Sequence, residues 1–270
     1  MKIFDLRQKY KHFGFDGDEI ICRTLGVDRA HLLLSGGDEI SDDKLEMTEN
    51  RLTRLSEGEP LQYILNSAFF YGREFFVDFR VLIPRFDTEC VVECAVKELE
   101  NGGVFADICT GSGCIGLTLL CECENTRGTL LDISRDALDV AKINGERLGV
   151  SERVKALEFD VMSDECWDAL GKFDLIVSNP PYIPTDDIKT LSVQVLNEPK
   201  IALDGGADGM DFYRKITEKS RCHFTHGVNI IFEIGYDEGE KMKELANSLG
   251  LHCEIKCDLN GNPRVALLKE

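Results

Sequence analysis

Hydrophobic and polar positions change their spacing twice along the chain. Through residues 1–66, apolar side chains recur at intervals of three and four, as at Ile20, Ile21 and Leu25 and again at Leu45, Leu52 and Leu55. That is the period of one face of a helix. Breaks at 14–17, 26–28 and 35–42 divide the stretch into short helices. Ser41-Asp-Asp-Lys supplies a cap residue and first-turn acids for one of them. Residues 68–84, A-F-F-Y-G-R-E-F-F-V-D-F-R-V-L-I-P, are rich in aromatic and β-branched side chains around Gly72-Arg73, a hairpin signature.

From Asp87 onward, strands alternate with helices. A helix over about 88–100 leads to strand V-F-A-D-I-C, a glycine-rich turn, a helix over 114–122 and strand G-T-L-L-D. A helix over 135–148 follows, then strands V-K-A-L-E-F-D and F-D-L-I-V-S. V-N-I-I-F-E-I-G is another strand, 236–249 a helix, and 251–258 with 263–269 a closing pair. This alternation predicts an α/β fold, a largely parallel sheet with helices on both faces. The expected division is a helical domain over 1–66, a hairpin linker over 67–84 and an α/β domain over 85–270.

Composition narrows the function classes. The 270 residues are 43% hydrophobic and 30% charged, as in an ordinary globular protein with a sizeable core. The charged, amphipathic N-terminus reads as neither signal peptide nor membrane span, so a cytoplasmic protein is expected. Eleven cysteines without a secretory signal point to reduced thiols. Cys121-x-Cys123 has no second pair at a zinc spacing, so no metal is expected. A net charge of −18 repels phosphate backbones and suits a basic protein partner, or simply solubility.

Candidate chemistry gathers at the strand ends. Asp107-Ile-Cys-Thr-Gly-Ser-Gly113 lies where the first strand of the α/β region meets its helix, and its small residues let a ligand approach the backbone. A tight structural turn would explain it as well. The spacing fits neither the dinucleotide nor the nucleotide-triphosphate loop. Asp132, ending the next strand, can accept both hydroxyls of a ribose. Asp160, ending the third, can accept from an adenine amino group, with Val161 offering an N–H and apolar cover; helix capping is the alternative for such acids. Together they describe an adenosine pocket whose third substituent is not phosphate, since no Lys or Arg attends the loop.

The strand F-D-L-I-V-S ends in Asn179-Pro180-Pro181-Tyr182. The prolines stiffen the backbone and hold Asn179 extended. The Asn179 side chain and the Pro180 carbonyl offer two acceptors, matching the two donors of a planar –NH2 group, and Tyr182 offers a flat face for stacking. Gripping both N–H bonds pushes density onto a poorly nucleophilic nitrogen and orients it toward an electrophilic methyl.

These motifs resemble the PrmC/HemK family of protein-glutamine N5-methyltransferases. Ile83-Pro-Arg-Phe-Asp-Thr-Glu89 is similar to its I-P-R-P-D-T-E, 107–113 to its D-L-G-T-G-T-G, and V-S-N-P-P-Y matches its usual form. Arg51 to Ile64, Glu198-Pro with 202–209, and Asp258-x-Asn-Gly-x-x-Arg264 resemble further signatures. The resemblance implies a class I, Rossmann-like, seven-stranded methyltransferase domain behind a small helical domain and a hairpin. It implies S-adenosyl-L-methionine as cofactor and, as substrate, the glutamine of the Gly-Gly-Gln motif in class-1 peptide chain release factors. By the same resemblance Cys109, Thr110, Gly111, Ser112, Gly113, Asp132, Val161 and Asn179 touch the cofactor, while Asn179, Pro180 and Tyr182, with Pro181, hold the amide. Arg85, Thr88 and Glu89 lie in a family motif but also read as a helix start. The chain departs from the pattern at Cys109 and Phe86, where the family has glycine and proline. A left-handed backbone at 109 would strain the cysteine.

Three other readings stand beside this one. An adenine-N6 nucleic-acid methyltransferase would use the same Asn-Pro-Pro-Tyr, although −18 and the lack of a basic reading domain oppose it. A glutamine methyltransferase for a ribosomal protein would differ only in partner, and a silent scaffold would keep the fold without turnover. The expected partner is a release factor, with no DNA or membrane, and the chain is expected to be a monomer.

Overall fold

The chain divides into two units. The computed structural model describes residues 1–34, 36–258 and 260–270; Ser35, which opens the break expected at 35–42, and Leu259 lie outside them. One compact unit comprises Met1–Ser67 with Val193–Asn197, the other Ala68–Ser192 with Glu198–Glu270.

In the first unit the helical spacing produces α1 (Ile3–Lys9), α2 (Gly14–Leu25), α3 (Arg29–Leu34), α4 (Asp42–Ser56) and α5 (Leu61–Leu65). Ile20, Leu52 and Ile64 form one buried cluster; Ile3, Leu6, Ile21 and Leu32 form another. A glycine closes α2: Gly26 takes φ 73 and donates its N–H to the Cys22 carbonyl. Ser41 does not cap α4 with its side chain, although Asp42 and Asp43 occupy the first turn as expected. A bidentate pair, Arg7 to Asp18 at 2.7 and 2.9 Å, ties α1 to α2.

The second unit opens on a hairpin shorter than its sequence predicts. Strands β1 (Ala68–Phe70) and β2 (Arg73–Phe75) pair antiparallel, and the turn is Tyr71-Gly72 rather than Gly72-Arg73. Both turn residues have positive φ, 49 and 72, as a two-residue type I′ connection requires. Residues 76–84, expected to belong to the hairpin, have no partner strand among the described residues. Side chains satisfy their backbone instead. Asn144 accepts from the Phe76 N–H at 2.7 Å and donates to the Phe76 carbonyl at 3.0 Å, and Glu198 accepts from the Ile83 N–H at 3.0 Å. Val77, Val81 and Ile83 are buried all the same, so their hydrophobic alternation reports burial without a ladder.

The α/β reading holds. In chain order come α6 (Glu89–Glu98), β3 (Gly103–Ile108), α7 (Cys114–Glu122), β4 (Thr126–Asp132), α8 (Arg135–Arg147), β5 (Val154–Glu158), α9 (Asp164–Asp168) and β6 (Leu175–Ser178). After α10 (Val193–Leu196), which belongs to the first unit, come α11 (Asp211–Ser220), β7 (Asn229–Glu233), α12 (Gly239–Ser248), β8 (His252–Cys257) and β9 (Pro263–Lys269). The seven strands run in the order β5-β4-β3-β6-β7-β9-β8, with only β9 antiparallel to its neighbours. Successive residues serve opposite faces: Ala106, Ile108, Ile176, Ile230 and Phe232 enter one core, while Phe105, Leu175, Val177 and Ile231 enter the other. The chain leaves β3 toward β4 and β5, then returns to place β6 on the other side of β3. The crevice beyond the carboxyl ends of β3 and β6 is therefore the switch point where open α/β sheets bind ligands.

Candidate active site

The loops that follow β3, β4, β5 and β6 border one open cleft at the carboxyl edge of the sheet, the place where such folds bind ligands. Cys109, Gly111, Asp132, Asp160, Val161, Asn179 and Pro181 all line it. Thr110 and Ser112 line a smaller cavity that shares Cys109, Gly111 and Asn179 and is bounded by Arg85 and Thr88. Gly113, Pro180 and Tyr182 line neither. Gly113 has φ 79 at the start of α7, where a Cβ would come within 2.8 Å of Leu117. Its work is to let the loop turn into the helix.

Two carboxylates shape the loop. Asp107 is buried at the end of β3; its Oδ2 accepts from the Thr110 hydroxyl at 2.6 Å and the Gly116 N–H at 2.9 Å, while Oδ1 has no partner. Burial pushes its pKa up to about 7, against the pull of those two donors. Asp132 reaches across from β4: Oδ2 accepts the Gly111 N–H and Oδ1 the Ser134 N–H, each at 2.9 Å. Burial raises its pKa and the backbone donors oppose the rise. Each Asp132 oxygen keeps further lone pairs for a ligand in the cleft. Asp160 uses Oδ1 to accept from the Met162 N–H at 2.8 Å, which turns the chain beneath Val161. Arg80 also lines the cleft, but its guanidinium is engaged by Asp78 at 2.7–3.0 Å.

Cys109 does take the left-handed conformation, with φ 60. An L-residue there carries about 1–2 kcal/mol of strain. The side chain packs against the core beneath β3, which offsets part of that strain by burial.

Asn179 leaves β6 beside α6. Its Nδ2 donates to Thr88 Oγ1 at 3.3 Å, which leaves the carbonyl oxygen as the free acceptor of the side chain. Thr88 is thus brought to the site from the I-P-R-F-D-T-E segment. Arg85 pairs there with the buried Glu198, while Glu89 accepts the Tyr71 N–H at 2.7 Å and lines neither cavity. Pro180 and Pro181 are buried, and the Pro180 carbonyl enters no turn hydrogen bond among the described residues. Tyr182 is largely buried and aims its hydroxyl at Glu233 Oε1, 3.4 Å away; burial first, then the Glu233 charge, raise its pKa.

Residues 202–209 acquire a physical reason. Ile183 and Gly205 exchange backbone bonds with this segment, Ile183 N–H to the Leu203 carbonyl at 3.0 Å and Gly205 N–H to the Ile183 carbonyl at 2.9 Å. A Cβ at Gly205 would lie 2.6 Å from the Tyr182 Cα and 2.8 Å from the Pro181 carbonyl oxygen, backbone atoms with no freedom to rotate away. At Gly209, φ 79, it would lie 2.4 Å from the Tyr182 carbonyl. Gly205→Ala should therefore displace Pro181-Tyr182, with about 1–3 kcal/mol of lost stability and a turnover roughly tenfold lower. Thermal unfolding and a methyl-transfer assay would read both; an unchanged variant would show the segment free to shift.

Several residues of the site escaped sequence reading. Asn144, besides holding Phe76, donates to the Ser112 carbonyl at 2.9 Å and so fastens the loop. Its signal was available: a polar residue on the buried stripe of Leu138, Ala141 and Gly145. Phe212 and Ile201, which close the apolar side of the cleft, lie in a region with no assigned chemistry.

Known proteins place this architecture. The Methyltransferase small domain family matches residues 86–206, and the PrmC N-terminal domain family matches residues 6–65. The catalytic domain of hMettl16, solved with a MAT2A 3′UTR hairpin, superposes with a TM-score of 0.58 at 14% identity, covering 85% of this chain and 82% of that one; this likeness concerns the fold. The release factor glutamine methyltransferase of Chlorobaculum tepidum is 38% identical over 250 residues, covering 89% of this chain and 85% of that protein. The protein of the same name from Bacillus subtilis is 38% identical over 254 residues, covering 91% and 87%. With identity at this level sustained over most of both proteins, the chain belongs to the release factor glutamine methyltransferase family.

Proposed function

We propose that this chain methylates the side-chain nitrogen of the glutamine in the Gly-Gly-Gln motif of class-1 release factors, with S-adenosyl-L-methionine as methyl donor. One observation carries the reading. Thr88 takes the Asn179 amino group, so Asn179 presents its carbonyl oxygen as an acceptor on the wall common to both cavities. That is the polarity needed to hold an –NH2 donor.

The cleft suits the cofactor. Asp132 has lone pairs left for a ribose diol after accepting two backbone N–H groups, and the unpartnered Asp107 Oδ1 lies buried at the base of the loop. Val161, Ile133 and Phe212 give apolar walls for a base, with Asp160 at the edge. Among the described residues lining the cleft, the one cation, Arg80, is bound to Asp78, so none is free for a polyphosphate. When bound, S-adenosylmethionine supplies a methyl group on a sulfonium, activated by its positive charge. The protein's part is to orient. Asn179 Oδ1 and the Pro180 carbonyl accept the two amide N–H bonds, Tyr182 backs the amide plane, and the buried prolines hold these groups without reorganisation. The nitrogen becomes acidic as it gains the methyl group, and the N–H proton hydrogen-bonded to Asn179 Oδ1 would pass to water after transfer, so no strong base is required.

All proposed contacts come from one chain, in keeping with action as a monomer. The charge of −18 disfavours a nucleic-acid substrate, whose affinity rests on cationic contacts. No helix among the described residues is long and apolar enough to cross a membrane, and a release-factor substrate implies a cytoplasmic enzyme. The test is to incubate the protein with methyl-labelled cofactor and a release factor or its Gln→Ala variant. Label should appear on that glutamine by mass spectrometry and vanish in the variant. Equal labelling of the variant, or label on nucleic acid, would refute the assignment.

A further inference from the structure

A carboxyl group that the proposed chemistry does not use lies directly behind the amide-holding residues. Glu233 ends β7, next to β6, and its neighbour Phe232 is in register with Ser178, the residue before Asn179. Its side chain is buried and lines neither cavity. Oε1 is 3.4 Å from the Tyr182 hydroxyl, and Oε2 is buried without a direct partner. Thr88, which accepts the Asn179 amino group through Oγ1, keeps its hydroxyl proton to turn toward the Glu233 carboxyl. Glu233 thus lies against the Tyr182 hydroxyl and within electrostatic reach of Thr88. A buried carboxyl in an apolar strand is destabilising unless it is paired, and Phe232, Ile231 and Ile230 beside it are the residues that this core otherwise selects.

We propose that Glu233 is a positioning residue for methyl transfer: it fixes the Tyr182 ring through its hydroxyl and, by orienting the Thr88 hydroxyl, keeps Asn179 turned with its carbonyl oxygen toward the substrate amide. This rests on the reading of Asn179 and Tyr182 given above. Ionised, Glu233 accepts from both hydroxyls. Protonated, it becomes a donor on one oxygen and no longer holds the Thr88 hydroxyl proton, which can then turn toward the carboxamide and favour its flipped orientation. Burial raises the Glu233 pKa to about 7, opposed by Thr88 and Tyr182 and by the charge of Arg264 on β9, and assisted by Asp87. Arg264 is itself engaged, 3.0 Å from Asp87 and 3.3 Å from Asp258. The other titratable groups near Glu233 are Cys90 on α6, Cys114 on α7, Tyr213 on α11 and Glu238, which accepts from the Tyr213 hydroxyl at 3.1 Å. The first three have pKa values raised first by burial and stay neutral while Glu233 titrates. Burial also pushes Glu238 up to about 7; Glu238 remains in Glu233→Gln, so the profile of that variant separates the two carboxyls.

The sign follows: the ionised form is the competent one, so turnover should rise with pH through about 7. The experiment measures kcat and KM for a release factor from pH 6 to 8.5, and cofactor affinity by calorimetry, for the wild type, Glu233→Gln, Glu233→Ala, Thr88→Val and the Glu233→Ala/Thr88→Val pair. Wild-type kcat should rise severalfold over that range. Glu233→Gln, which imitates the protonated acid, should give a flat profile at the low-pH level of the wild type. Glu233→Ala should lower kcat about tenfold or more, with KM and cofactor affinity within about twofold. The double variant should lose no more than its worse parent, because both act through Asn179. A Glu233→Gln profile that follows the wild type, or additive losses in the pair, would overturn the inference even if Glu233→Ala fails to fold. A wild type that leaves the glutamine unlabelled would instead sink the reading on which it rests.

Discussion

Asn179→Ala should lower the turnover of release-factor methylation by about a hundredfold or more while leaving affinity for S-adenosylmethionine within a few fold. Losing one preorganised hydrogen-bonding group aimed at the reacting atoms costs about 10²–10³ in kcat in comparable sites. Alanine removes one of the two acceptors proposed for the amide N–H bonds and also deprives Thr88 Oγ1 of the donor that reaches it at 3.3 Å. Cofactor binding should suffer less because Asn179 is one of several polar residues lining the cleft, with Asp132 and Asp160 the proposed anchors of the cofactor. Asn179→Asp separates the two roles. It keeps an acceptor near the amide but removes the N–H that Thr88 receives, so its turnover should fall between wild type and alanine. Steady-state kinetics with calorimetry on the same preparations would check this. If Asn179→Ala weakens the cofactor as much as turnover, the side chain serves the adenosine half of the site.

The strand-end residues could be found in the sequence because local rules place them. A strand followed by small or capping residues at the carboxyl edge of a parallel sheet must face the crevice, and Asp132, Asp160 and Asn179 all do. Alternation also placed the strands, since each face of β3, β6 and β7 needs its own apolar set. Local rules misplaced the stretch 76–84, where Val77, Val81 and Ile83 alternate like a strand but Phe76 and Ile83 are satisfied by Asn144 and Glu198, 68 and 115 residues away. No short window contains those partners.

The same limit hid the back of the site. Glu233 reads as one more position in V-N-I-I-F-E-I-G; only the register of β7 on β6 puts it beneath Tyr182. Thr88 reads as the start of a helix, and it does precede α6, yet its hydroxyl meets Asn179 across 91 residues. Gly205 and Gly209 show the reverse case. Their pattern is visible in the sequence, but its cause, the Tyr182 backbone resting on both, exists only once the loops are packed. Cys109 sits between the two cases: its conformation could be anticipated from the turn, whereas the packing that offsets the strain could not.

Asp132→Ala should weaken S-adenosylmethionine binding by about a hundredfold. Two ribose hydroxyls donating to a carboxylate contribute about 1.5–3 kcal/mol each before water replaces them, and about 2.8 kcal/mol net corresponds to that factor. Alanine also releases the Gly111 and Ser134 N–H groups, both held at 2.9 Å, so part of the loss comes from a loop no longer fixed for the ligand. Asparagine is no conservative substitute. Each carboxylate oxygen already faces a backbone N–H, so an amide –NH2 on either side must oppose a donor with a donor, and Asp132→Asn should bind no better than about tenfold tighter than alanine. On the proposed reading, in which Asp132 would hold the ribose end and not the reacting nitrogen, raising the cofactor concentration should restore most of the turnover in both variants, in contrast to Asn179→Ala. Calorimetry together with kcat extrapolated to saturating cofactor distinguishes the two residues. An Asp132→Ala protein that binds the cofactor within threefold of wild type would mean that the ribose lies elsewhere in the cleft.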